Sequence, residues 1–304
     1  MKRLIIHAVI FLAPVLILLI IIPVNERLKF SGLKNDCFNH GIWIYDRIQQ
    51  NPEPFDIVFL GTSHTINGIN DRVISERIQP LNAVNFGYCR LGRNLDYVLL
   101  KEIIHKRDIK KLVIEVRESE DRYSHPVFPL IASGGDVYCP AVFFNRDIFK
   151  DIWNHISYKV ELYQDLLFQT DSIPPFRMEE YGYAGHPDTA SSILLDEIKQ
   201  KRNQPKKEVD AIEKEFYNHY PESYLKKISR ICHNKGIGLY FLYLPSYGNN
   251  YSEPSEIKLY RELGKVLIPP SSLFEDKNNW HDENHFNDPG ARKLSEWVAG
   301  NLTQ

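Results

Sequence analysis

Asp56-Ile57-Val58-Phe59-Leu60-Gly61-Thr62-Ser63-His64 is the stretch that decides how this chain folds. Four apolar residues in an unbroken run, with no polar alternation, mark a short strand buried on both faces. Such strands belong to parallel sheets covered by helices. The run ends in a glycine and then a serine, so it also sets a hydroxyl at the carboxyl end of that strand. Working outward, Ala83-Val84-Asn85-Phe86, Leu112-Val113-Ile114-Glu115-Val116, the run from Gly238 to Pro245 and Val266-Leu267-Ile268 read as four further strands. Helical patterns lie between them. Asn94 can cap a helix whose Leu95, Val98, Leu99 and Ile103 share one face. Leu225, Ile228, Ile231 and Cys232 form a stripe that stops at Gly236, and Asp288-Pro289 opens a last helix with Leu294, Trp297 and Val298 on its buried side.

Strands separated by helices imply an α/β fold, a three-layer α/β/α sandwich with a mostly parallel, flavodoxin-like sheet of about five strands. Residues 121–220, rich in Tyr, Phe and Trp, break the strand–helix alternation and read as a largely helical insertion between strands three and four. Ligands of open parallel sheets sit beyond the carboxyl ends of the strands. Ser63, the Gly87–Asn94 loop, the insertion and the loop around Asp282 and His285 would all emerge at that edge.

The 304 residues, 43% hydrophobic and 25% charged, suit one sizeable α/β domain with an insertion. A formal net charge of −2 gives no electrostatic basis for a nucleic-acid partner. Leu4 to Val24 is different in kind: 21 residues with His7 as the only polar side chain, preceded by Lys2 and Arg3. A helix of about 20 residues spans a hydrocarbon core of roughly 30 Å. Pro14 would kink it and Pro23 would end it. A cleaved signal peptide has a shorter apolar core closed by small residues, and Ile22-Pro23-Val24-Asn25-Glu26-Arg27 offers no such site. The expectation is an uncleaved anchor over 1–24, a juxtamembrane stretch over 25–54 with a short helix around Ile42 to Gln49, and the α/β domain over 55–304. Basic residues flank both ends of the anchor, and the short N-terminal tail is the easier one to leave in the cytoplasm, which puts the body outside it. Cys37, Cys89, Cys139 and Cys232 lack Cys-x-x-Cys spacing, so they read as disulfide partners or buried thiols rather than zinc ligands.

His285 lies in Trp280-His281-Asp282-Glu283-Asn284-His285-Phe286, with a carboxyl group three residues before it. Acyl transfer needs a serine exposed at a strand end, an imidazole to take its proton and an acid to orient the imidazole. Ser63, His285 and Asp282 supply those types. His281 and His285 also stand at the spacing of a zinc helix, but Asn278-Asn279 and Asp288-Pro289 flank them and no regular helix fits, so no metal is expected. The elbow Gly-x-Ser-x-Gly is not met, because Thr65 stands at the second glycine. His64 reads as site lining. Trp153, Tyr158, Tyr163, Phe176, Tyr181 and Tyr183 in the insertion suit either its own core or stacking on sugar rings.

Gly61-Thr62-Ser63 after the first strand, a glycine loop after the second and Asp282-x-x-His285 before the last helix together resemble the SGNH (GDSL-type) hydrolase superfamily. The closer likeness is to its membrane-anchored bacterial cell-envelope branch. The resemblance covers about residues 55–120 and 235–302 and leaves the insertion unmatched. It implies Ser63 as nucleophile, His285 as general base and acid, Asp282 as the orienting acid, no cofactor, and an acylated glycan or cell-envelope polymer as substrate. It also implies an oxyanion hole from the serine N–H, a glycine N–H after the second strand and an asparagine side chain after the third. Gly92 is the first choice of glycine and Gly87 the alternative. Arg117-Glu118-Ser119-Glu120 occupies the place of the family's Gly-x-Asn-Asp, which leaves Asn94 or Arg117 to donate. With that departure an esterase, an O-acyltransferase and a non-catalytic assembly or binding protein of the same fold all stay open.

Overall fold

A computed structural model describes residues 2–3, 6–7, 10–14, 24–138, 145–168, 174–202, 204, 211–249 and 252–303. Five strands, β1 (Ile57–Leu60), β2 (Ala83–Asn85), β3 (Lys111–Val116), β4 (Gly238–Tyr243) and β5 (Lys265–Leu267), form one parallel sheet in the order β2-β1-β3-β4-β5. The longer helices are α1 (His40–Gln49), α2 (Ser63–Gly68), α3 (Asp71–Arg77), α4 (Arg93–Lys106), α5 (Ile148–Phe168), α6 (Ser192–Arg202), α7 (Ala211–Lys235) and α8 (Asp288–Leu302).

Side chains alternate across each strand, which divides the core in two. Val58, Leu60, Leu112, Ile114, Leu239 and Phe241 pack with α1, α4 and α7. Ile57, Phe59, Val113, Tyr240 and Leu242 pack on the other side with α3 and α8. Because both faces are covered, the strands carry continuous apolar runs, each large side chain contributing about 1.5–3 kcal/mol by leaving water. The result is a three-layer α/β/α sandwich. From β2 the chain crosses β1 to form β3, so the strand order reverses between β1 and β3 and opens a crevice at their carboxyl ends.

One sequence expectation changes, and the insertion gains detail. The helix α4 is capped at Gly92, not at Asn94. Asn94 is fully buried and turns its amide inward, donating to Ser124 Oγ at 2.7 Å and accepting from the His125 N–H at 3.1 Å. The insertion is largely helical, as expected, and residues 174–191 within it form a strap without helix or strand. Its backbone carbonyls are satisfied from outside, Glu179 by Trp43 Nε1, Glu180 by Arg47 Nε and Met178 by Asn51 Nδ2. Those bonds replace the ladder that a helix would have supplied. Finally, α7 runs unbroken from Ala211 across the expected insertion boundary at 220, carrying Pro221 inside it.

Residues 25–54, expected as a juxtamembrane stretch, share the main core, since Ile42, Trp43, Ile44 and Ile48 are buried in the same cluster as Val58 and Leu60. Cys37 and Cys89 are disulfide-bonded, Cys232 is a buried thiol, and Cys139 lies outside the described residues. The expected anchor over 4–24 falls largely outside them too. Among the described residues no helix is long and apolar enough to cross a membrane.

Candidate active site

The Ser63 hydroxyl arises from the way β1 ends. A Cβ at Gly61 would lie 2.4 Å from the Glu115 Cβ and 2.3 Å from Thr65 Oγ1, so only glycine permits this approach. It lets the Glu115 side chain, 1% exposed, reach into the turn. Glu115 accepts from the Thr62 N–H at 2.7 Å, Thr62 Oγ1 at 2.8 Å, the Thr65 N–H at 3.1 Å and Thr65 Oγ1 at 2.6 Å. Thr62 Oγ1 in turn accepts from the His64 N–H at 3.1 Å and caps α2. Ser63 is left as the first residue of α2, partly exposed, with a backbone N–H that has no intrahelical acceptor. Glu115 is missed when the sequence is read by pattern alone. Its signal is a lone carboxyl group within an apolar strand run, where burial demands partners.

His285 reaches the same spot from the far end of the chain. Trp280 and Phe286 are both buried and pair as an antiparallel bridge, which folds 281–285 into a tight loop. Asp282 Oδ1 accepts from the N–H groups of Asn284 at 2.7 Å and His285 at 2.8 Å, an Asx-type turn. Asp282 Oδ2 accepts from His285 Nδ1 at 2.8 Å. That bond puts the ring proton on Nδ1 and leaves Nε2 to accept from Ser63 Oγ, 2.8 Å away. Burial alone would raise the Asp282 carboxyl. The hydrogen bonds from the His285 ring and the Asn284 N–H outweigh it and hold the group well below the usual carboxylate range. Ser63, His285 and Asp282 therefore meet in the geometry of a serine nucleophile, its base and an orienting acid.

His64, next to Ser63, stands with its ring 5.5 Å from that of His285. Burial, followed by the charges of Arg117 and His285, pushes it well below its ordinary value, and its ring is hydrogen-bonded to the Leu244 backbone. It is a neutral wall of the site.

The base loop is held from the insertion. His186 stacks flat on His281, centroids 4.0 Å apart and planes 8° apart, and its own carbonyl accepts from the Asp288 N–H at 2.8 Å. The Ala190 N–H donates to Trp280 O at 2.8 Å, and Asn287 Nδ2 to Thr189 Oγ1 at 3.1 Å. Arg202, on α6, donates to the carbonyls of Tyr247 and Glu283 and to Asn284 Oδ1. The same strap grips α2, where the Ala184 N–H donates to Ile66 O at 3.2 Å. No spacing in the sequence distinguishes His186 or Arg202, because their roles depend on how the insertion folds back. Of the six aromatic residues singled out in the sequence, Tyr158 packs on Val24, Phe176 on Arg27 and Tyr181 on Arg72, while Tyr183 donates to Asp288 Oδ1 at 2.7 Å.

The oxyanion candidates fare unequally. Asn94 has both amide atoms engaged. The Gly87 N–H donates to Asn85 Oδ1 at 3.0 Å. Gly92 lies at the start of α4, where an added Cβ would come within 2.4 Å of the His125 Cβ. Arg117 directly follows β3, whose pairing with β1 ends at Leu60 and Ile114, and its charge bears on His64 beside Ser63. Its Nη2 donates to Ser246 Oγ at 2.7 Å. Among the described residues no group of His, Cys, Asp and Glu side chains is arranged to hold a metal ion. A scan against protein-family models matched none, and a search of curated proteins found no similar sequence.

Proposed function

We propose that this chain is an SGNH-like serine esterase or O-acyltransferase, anchored in a membrane and acting on an acylated glycan or cell-envelope polymer. The observation that carries the reading is the chain of two 2.8 Å hydrogen bonds, Ser63 Oγ to His285 Nε2 and His285 Nδ1 to Asp282 Oδ2, which joins residues 222 apart in sequence. The reaction divides into two transfers. Ser63 Oγ attacks the ester carbonyl carbon as its proton passes to His285 Nε2. The ester C–O bond then breaks, and the leaving alcohol takes that proton. In the second half a water or a sugar hydroxyl gives its proton to His285, attacks the acyl-serine carbonyl and releases Ser63, which recovers the proton. Asp282 keeps the ring oriented and stabilises the imidazolium formed in each half.

A location outside the cytoplasm is supported by the Cys37–Cys89 bond, since disulfides persist in oxidising compartments. One observation favours a second reading, that of a binding or assembly protein which keeps the fold. The Asn94 amide is buried and turned to Ser124 and His125, and no asparagine stands directly after the third strand, where the resemblance places the amide donor to an oxyanion. A serine-reactive fluorophosphonate separates the two. Labelling of the full chain that disappears in Ser63→Ala, together with turnover of small acetyl esters, is expected of the enzyme. No labelling of well-folded protein would leave the binding protein as the better reading.

A further inference from the structure

The helix α5 is amphipathic in the wrong sense for a surface helix of a water-soluble domain. At 100° per residue, Phe149, Trp153, Ile156, Val160, Tyr163 and Leu167 fall within about 80° of arc and make one continuous row along the helix. The row is open at its two ends, where Phe149 is 85% exposed, Trp153 70% and Leu167 76%, with Leu166 and Phe168 exposed beside Leu167, while Ile156, Val160 and Tyr163 between them are half-buried. The side turned to the protein carries Asp151, His155, Tyr158, Lys159 and Leu162, four of them polar. These polar groups find partners inside. Asn145 Nδ2 donates to Asp151 Oδ2 at 3.0 Å, His155 Nδ1 bonds Pro129 O at 2.7 Å, and Tyr158 Oη donates to Lys29 O. Single exposed apolar side chains are ordinary, but five large ones open along one helix mark a surface with a non-aqueous neighbour.

Where the N-terminal segment leaves off shows what that neighbour is. Val24, the last residue of the apolar run that begins at Leu4, is buried against Tyr158 and Leu162 of α5, with Leu28 packed beside them. The chain therefore joins the domain on the flank of the helix whose outer face is apolar. Trp153, exposed on that face, is of a residue type enriched at the membrane–water boundary. We propose that α5 lies in the headgroup region of the bilayer that holds the N-terminal segment, with the Phe149–Leu167 row dipped into the acyl boundary, as interfacial amphipathic helices do. This rests on the anchor reading of residues 4–24 and is independent of the chemistry at Ser63.

Tryptophan fluorescence tests it on the full chain reconstituted in phosphatidylcholine vesicles that carry lipids brominated near the headgroup. The chain has four tryptophans, none of them in residues 1–24, and Trp43 and Trp280 are each about 1% exposed. Bromolipid should quench the native protein, and Trp153→Phe should remove most of that quenching. A second variant, Phe149→Glu with Trp153 retained, should also lose quenching as the helix lifts from the lipid. Equal quenching with and without Trp153, or a Trp153 reached by aqueous iodide and not by bromolipid, would overturn the proposal. So would a Trp153 shielded from both in a chain that cross-links to itself, since the row would then be a protein interface. Carbonate washing of the same vesicles keeps the two ideas apart. Release of the chain sinks the anchor, whereas retention without quenching sinks only the placement of α5.

Discussion

The two halves of the Ser63–His285 pair are held in different ways. The nucleophile turn is fixed by the sheet itself: it follows β1 directly, and its four donor bonds end on Glu115 of the neighbouring strand β3. The base loop has its own internal brace in Asp282 and a bond from the Tyr247 N–H to Glu283 O, but most of its outer contacts come from the insertion, through His186, Thr189, Ala190 and Arg202. Ser63 is thus set by the architecture common to any sheet of this order, and His285 by a region that breaks that architecture. The insertion therefore bears mainly on the base, and touches the nucleophile side only through the Ala184 N–H bond to Ile66 O on α2.

The largest effects should come from cutting the link between the halves. Ser63→Ala and His285→Ala are each expected to lower ester turnover about 10⁴-fold or more, and the double variant no further, because members of such a unit do not act independently. Multiplying losses in steady-state kinetics would mean that the two halves work separately. On the nucleophile side, Glu115→Ala removes the acceptor of four bonds and leaves buried donors unsatisfied at about 1–3 kcal/mol each. A loss of at least about 3 kcal/mol in urea unfolding is expected, together with loss of activity. A stable, active Glu115→Ala protein would show that the turn does not depend on β3.

The oxyanion donor lies between the two halves. If Arg117 fills the missing place, Arg117→Ala should lower kcat about 10²-fold with little change in KM, and Arg117→Lys should recover part of it. Asn94→Ala should instead act on stability, since its amide bonds tie α4 to Ser124 and His125. A fall in kcat confined to Asn94→Ala would reverse these roles. On the base side, Arg202→Ala loosens three bonds to the loop and its neighbour Tyr247 without removing a reacting group. About a tenfold loss of turnover with unchanged unfolding is expected, because misplacing a reacting group by a fraction of an ångström lowers rate and not fold stability. A larger drop in stability than in rate would make Arg202 part of the scaffold.

The contrast between the halves also explains how far the sequence could be read. All five strands were legible, because double burial writes an unbroken apolar run such as Ile57–Leu60, and their order places Ser63 at the reversal between β1 and β3. Asp282 and His285 were legible because both lie in one short loop, where spacing alone brings them together. Asn94 misled, since a polar residue before an apolar face looks like a cap until the tertiary fold offers it Ser124 and His125. His186, Arg202 and the strap over 174–191 were not legible at all. An irregular segment whose backbone is satisfied by side chains of α1 and by Asn51 just beyond it has no period to betray it.

The finest test of the base side is its response to acid. His186 lies below its ordinary value through partial burial first, then through the nearby charges of His281 and His285, with Asp282 and Asp288 acting the other way. A histidine depressed in the folded state contributes stability that is present above its unfolded value of about 6.5 and is lost as pH falls through the folded value. Acidification should therefore loosen the strap from His281 while leaving the Glu115 turn in place. His186→Phe keeps a flat ring against His281 and removes the titration. The variant should turn over ester much as the native chain does at pH 8, and the ratio of its rate to the native rate should climb as pH drops below about 6.5. The climb should stay under about tenfold, because His186 is partly exposed and solvent screens the change. A ratio that does not vary with pH would show that the stack only fills space, and that the loop's hold on His285 rests on Arg202 and the backbone bonds alone.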